Sequence, residues 1–134
     1  MDSLDPFAQL QGFDGLYGLE IIDLAPERAN ARLAVRDDHK QPWGIVHGGI
    51  YASIAESITS WATATVVVPE GKIASGMSNQ TSFLRPVSGG TIHAVATRKH
   101  AGRTTWVWEV EMSDDQGRLC ALSRMTIAIR EQLT

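Results

Sequence analysis

Residues 47–69 read HGGIYASIAESITSWATATVVVP. Ile50, Ile54, Ile58, Trp61 and Thr65 fall at helical spacing, and the two glycines after His47 open the run. Pro69 closes it, because proline lacks the N–H that would continue a helix. Apolar residues surround most of the circumference, and Glu56 is the sole charge between Gly48 and Val68. A helix of this composition has to be wrapped by another element.

The flanking sequence supplies the wrapping. Residues 2–11 suggest a short helix with Ser3 or Asp5 near its cap and Pro6 in the first turn. Residues 16–24 read as a strand. Residues 28–35 alternate, with Ala29, Ala31, Leu33 and Val35 on one face, and Pro26-Glu27 forms the turn before them. Beyond the helix, residues 72–85, 91–100, 104–113 and 118–130 have strand character. Gly89-Gly90, Ala101-Gly102 and 114–117 punctuate them as turns. The expectation is two strands, one long helix, then four strands in a meander. A curved antiparallel sheet folded around one central helix is an α+β architecture, the hotdog fold.

The 134 residues fit one domain spanning 1–134, with no internal repeat or linker. A net charge of −3 argues against a nucleic-acid partner, so a polyanionic ligand would need a local basic patch. Cys120 is alone, which excludes an intrachain disulfide and fits a reducing, cytoplasmic setting. The N-terminus is acidic and lacks the charged and apolar regions of a signal peptide. The longest apolar stretch, 62–68, is too short to span a bilayer.

The chemistry concentrates at the central helix. Gly48-Gly49 lets a ligand approach the first helical N–H groups, which lack internal partners and carry the positive end of the helix dipole. Such groups can hold a carbonyl oxygen as it becomes negative; the plain alternative is tight packing of the helix start. Glu56 on an apolar helix is costly unless it has a task or faces solvent. Ser60 lies one turn on, where it can orient a water. Gly48 and Glu56 are separated by eight residues, about 12 Å along the axis. If both act on one carbonyl, Gly48 must come from one subunit and Glu56 from another, which predicts a homodimer with two sites at a twofold interface.

The segment WGIVHGG at 43–49, with Glu56 nine residues after His47, resembles the hotdog-fold acyl-CoA thioesterases. The likeness is to the glutamate-using 4-hydroxybenzoyl-CoA type and the related 1,4-dihydroxy-2-naphthoyl-CoA thioesterases. It continues in SNQTSFLRPV at 78–87, HAGRTTW at 100–106 and DQGRLCA at 115–121. The resemblance implies hydrolysis of an aromatic acyl-CoA, first of all 4-hydroxybenzoyl-CoA, then dihydroxynaphthoyl-CoA or a broad range of phenylacetyl-type thioesters. Glu56 matches the nucleophile or general base. The Gly48 N–H and Gln41 match the groups that polarise the carbonyl, His47 a supporting histidine, and Ser60 a water-positioning hydroxyl. Gly49, Arg85, His100, Arg103 and Thr104 match residues around the substrate and its CoA phosphates. The resemblance also implies a dimer of dimers. The non-basic C-terminus departs from the family pattern and leaves one phosphate contact without a source.

No cofactor is implied, since coenzyme A belongs to the substrate. His39, His47, His93 and His100 fall on separate elements without metal-ligand spacing. A hotdog dehydratase would pair its acid with a catalytic histidine in a different motif. A non-catalytic acyl-CoA-binding module would be expected to lack the carboxylate or carry a regulatory domain.

Overall fold

The computed structural model describes residues 10–132. Helix α1 (Gly12–Tyr17) ends at Gly18, whose left-handed φ of 87° closes it. Strands β1 (Glu20–Leu24) and β2 (Arg28–Ala34) follow, joined by a turn in which the Ala25 N–H donates to the Arg28 carbonyl. Then come α2 (Gly48–Val67), β3 (Lys72–Phe83), β4 (Thr91–Ala101), β5 (Thr105–Ser113) and β6 (Leu119–Glu131).

The expected elements are present, with two corrections. The strand expected over 16–24 begins only at Glu20, because Gly18 turns the chain after α1 and redirects it. The four later strands are not a simple meander. The sheet order is β1-β2-β4-β5-β6-β3, so β3 pairs with β6 and β4 pairs with β2. Segment 84–90 crosses between them, held where the Leu84 and Arg85 N–H groups donate to the Cys120 carbonyl and Val35 N–H donates to Gly90. The helix expected over 2–11 lies almost wholly outside the described residues.

All five strand pairs are antiparallel, and α2 packs across one face of the sheet. Alternation explains the contact: Ala29, Ala31 and Leu33 are buried on β2, and Trp108, Val110 and Met112 on β5. They meet Ile54, Ala55, Ile58 and Ala62 of α2. Thr63 and Trp108 pair their polar atoms inside this core. Thr63 Oγ1 donates to the Thr59 carbonyl and accepts from Trp108 Nε1–H at 3.0 Å. Trp106 and Trp108 therefore serve the core, which answers their ambiguity in the sequence.

The topology leaves β1 and β3 as sheet edges. β3 is 12 residues long and mostly exposed, with Met77 and Phe83 both more than half exposed. A long, unpaired edge of this kind is a ready template for pairing with another strand.

Candidate active site

The N-terminus of α2 is shaped by His47. Its Nδ1 accepts from the Gly49 N–H at 2.8 Å, and its carbonyl accepts from the Ile50 N–H at 3.0 Å. His47 is thus the helix cap, with its ring proton on Nε2. Gly49 sits where a Cβ would come within 3.0 Å of that ring, and its N–H is already engaged. The Gly49 N–H therefore serves the cap. The Gly48 N–H has no partner among the described residues. Phe83 packs over Gly48, where a Cβ would stand 2.9 Å from its ring.

Gln41 stands beside this helix start, in a turn where its backbone N–H donates to the Ile45 carbonyl. Its Oε1 accepts from the Trp43 N–H, and the amide NH2 has no acceptor among the described residues. Gln41, Gly48 and Arg85 line one cavity of about 450 Å³, together with Tyr51, Phe83 and Leu84. Burial pushes the Tyr51 phenol up to about 12, so it stays neutral there.

Glu56 lies elsewhere. It is the single exposed position between Ile50 and Val68, and it lines a second cavity of about 360 Å³ with Ser60. The two cavities share no lining residue. Seven further residues line the Glu56 cavity, Phe13, Asp14, Trp61 and Asn79 among them, and sequence reasoning gave none of them a site role. Asp14 Oδ1 accepts from Ser57 Oγ at 2.6 Å and Oδ2 from Trp61 Nε1–H at 3.1 Å. Tyr17 donates to Ser57 Oγ at 2.9 Å, and burial, with the Asp14 and Glu56 carboxylates adding to it, pushes its phenol well above the usual range. Tyr17 therefore keeps its proton and stays a donor to Ser57. Asp14 carries no sequence signal of its own: it lies on α1, and only the fold brings α1 to the Glu56 cavity.

A third cavity, of about 490 Å³, holds Arg103 and Thr104 with Lys72, Arg130 and Glu131. Arg130 donates to the Thr104 and Ile129 carbonyls. The basic residues of segment 98–103 do not converge on this cavity. Arg98 donates to the Pro26 carbonyl and stacks over Trp106 at 4.8 Å, and a bulge separates it from His100. His100 packs against Gly102 and is not among the residues lining the Arg103 cavity.

Among the described residues, no group of three or more His, Cys, Asp or Glu is placed to hold a metal ion. His39 is buried and structural, with Nδ1 accepting from the Arg36 N–H and Nε2 donating to the Tyr17 carbonyl at 2.7 Å. Among the described residues, no helix is long and apolar enough to cross a membrane.

A helix start with a free N–H and a carboxylate two turns on, inside an antiparallel sheet, is an arrangement suited to acyl transfer. The model of the thioesterase superfamily matches residues 44–121, which include Gly48, Glu56, Ser60, Arg85 and Arg103. The chain belongs to that superfamily. Its membership makes it an acyl-CoA thioesterase, a thioester hydrolase with the hotdog fold. It is 31% identical to the 1,4-dihydroxy-2-naphthoyl-CoA hydrolase of Listeria monocytogenes, over 90% of this chain and 98% of that protein. The solved structure of a Mycobacterium tuberculosis protein aligns with TM-score 0.86 at 35% identity, covering 91% of this chain and 98% of that one. A Pseudomonas aeruginosa thioesterase aligns with TM-score 0.86 at 30% identity, covering 92% and 88%.

Proposed function

We propose that this thioesterase hydrolyses a hydroxylated aromatic acyl-CoA at a site shared by two subunits. The observation that carries this reading is the separation of Gly48 and Gln41 in one cavity from Glu56 and Ser60 in another. In a twofold dimer, two β3 edges pair antiparallel, so the Lys72 end of one meets the Phe83 end of the other. This brings the Gly48 cavity of one chain towards the Glu56 and Arg103 cavities of its partner. A further pairing of such dimers into a tetramer fits the family resemblance.

In the mechanism, the Gly48 N–H and the Gln41 amide hold the thioester oxygen, and the helix dipole favours its developing charge. Glu56 of the other subunit attacks the carbonyl carbon, or takes the proton of a water that does so. The C–S bond breaks and CoA leaves as a thiolate. Ser60 positions the water that completes hydrolysis. His47 acts by holding the helix start in shape.

Phe13 and Trp61 in the Glu56 cavity offer aromatic faces to an acyl ring. Two acyl groups fit this chemistry: 4-hydroxybenzoyl, implied by the motif resemblance, and 1,4-dihydroxy-2-naphthoyl, favoured by the Listeria relative. Thiol release from 4-hydroxybenzoyl-, dihydroxynaphthoyl-, phenylacetyl- and straight-chain acyl-CoAs decides between them. Aryl-CoA esters turned over well above the straight-chain esters support the reading, and their rank order names the acyl group. Binding of every ester without turnover would contradict it.

In this reading Arg103, Lys72 and Arg130, which share the third cavity, receive the CoA phosphates. We expect Arg103→Ala to raise KM for acyl-CoA roughly tenfold with kcat nearly unchanged, since the contact is made equally in ground and transition states. The matching acyl-pantetheine, which has no nucleotide, should be indifferent to the substitution. Steady-state kinetics on both substrates checks this.

A further inference from the structure

We propose that Gly76 is a positioning residue for Glu56: the missing side chain on β3 is the space in which the carboxylate is held. This rests on the catalytic role proposed above for Glu56 and extends it to the opposing strand.

Gly76 lies inside a 12-residue strand, where glycine weakens a sheet. Backbone conformation does not call for it, because its φ is not among the positive ones. What does call for it is Glu56. A Cβ at position 76 would stand 3.2 Å from Glu56 Oε2, 3.3 Å from Cδ and 3.4 Å from Cγ. The carboxylate and its stem therefore lie flat against the β3 backbone, and alanine there would have to push them away.

The surrounding strand is built to the same end. Gly76 pairs with Ile127 and Ser78 with Thr126, which leaves Met77 as an unpaired bulge residue. Bulges re-aim side chains beside active sites. Here the helix-facing position changes from Gly76 before the bulge to Asn79 after it. Asn79 consequently reaches the helix and donates to the Ala52 carbonyl at 2.9 Å, one turn before Glu56. One short stretch of β3 both fastens the helical turn that carries Glu56 and leaves the gap its carboxylate fills.

The test is a double-mutant cycle read by kinetics and by thermal unfolding. For Gly76→Ala alone we expect kcat to fall roughly tenfold, since the carboxylate has to give by a few tenths of an ångström, with KM within about twofold. The same substitution in a Glu56→Asp background should cost less than about threefold, since the shorter side chain withdraws the carboxylate from the strand. Thermal unfolding reports the contact apart from activity. Gly76→Ala should lower Tm in the wild-type background and leave it unchanged or higher with Glu56→Ala, where the crowding is gone. If Gly76→Ala alone does not fold, recovery of folding in the double variant supports the contact. Unchanged kcat in Gly76→Ala overturns the proposal, as does an equal Tm loss or failure to fold in the Glu56→Ala background. Full turnover by Glu56→Ala alone overturns the reading on which it rests.

Discussion

A Glu56→Ala variant is expected to fold, to keep its oligomeric state and to lose roughly 10³–10⁴-fold in kcat. The fold should survive because Glu56 is exposed on α2 and its carboxylate makes no hydrogen bond or ion pair among the described residues. Alanine is also the better helix former, so the local cost is small. Activity should collapse because nothing else in the cavity can replace the carboxylate. Asp14, the second acid there, has both oxygens engaged by Ser57 and Trp61. Glu56→Gln keeps the shape and removes the charge, so it should be almost as inactive. Thiol release by each variant, beside far-UV circular dichroism and gel filtration, checks this.

Gln41→Ala should lower kcat by roughly 10²–10³, the usual cost of one donor to a developing oxyanion. The amide is pre-oriented: the Trp43 N–H occupies Oε1, so NH2 is the end left to donate. The effect should fall on kcat more than on KM, because the hydrogen bond strengthens as charge builds on the oxygen. Gln41→Glu should do more harm than alanine, since it sets a negative charge beside a developing one. Equal losses in kcat/KM and 1/KM, with kcat untouched, would instead make Gln41 a binding group.

The central helix was legible because its apolar period is long and ends at Pro69, and the strands because turn residues separate them. The strand order was not legible. Nothing in the local pattern of residues 72–83 says that β3 pairs with β6, because a pairing so distant in sequence leaves no periodic trace. The strand expected over 16–24 failed at Gly18, where the chain leaves α1. On the site side, Glu56 stood out as the one charge on α2. Gly48 stood out through helix-terminus chemistry, and if both act on one carbonyl their spacing on one helix calls for two subunits. Asp14 and Asn79 were invisible because α1 and the β3 bulge, both tertiary features, bring them to the cavity. His47 and Gly49 could be placed at the helix start, but only the geometry assigns them to its cap.

The most direct test is complementation between two inactive chains, Glu56→Ala and Gln41→Ala, co-expressed in equal amounts. If each site takes Gln41 from one subunit and Glu56 from the other, every mixed dimer carries one native site. Half of randomly assorted dimers are mixed, so the mixture should recover about a quarter of the wild-type specific activity. Activity no higher than the mean of the two variants alone, with subunit mixing verified, would contradict a shared site.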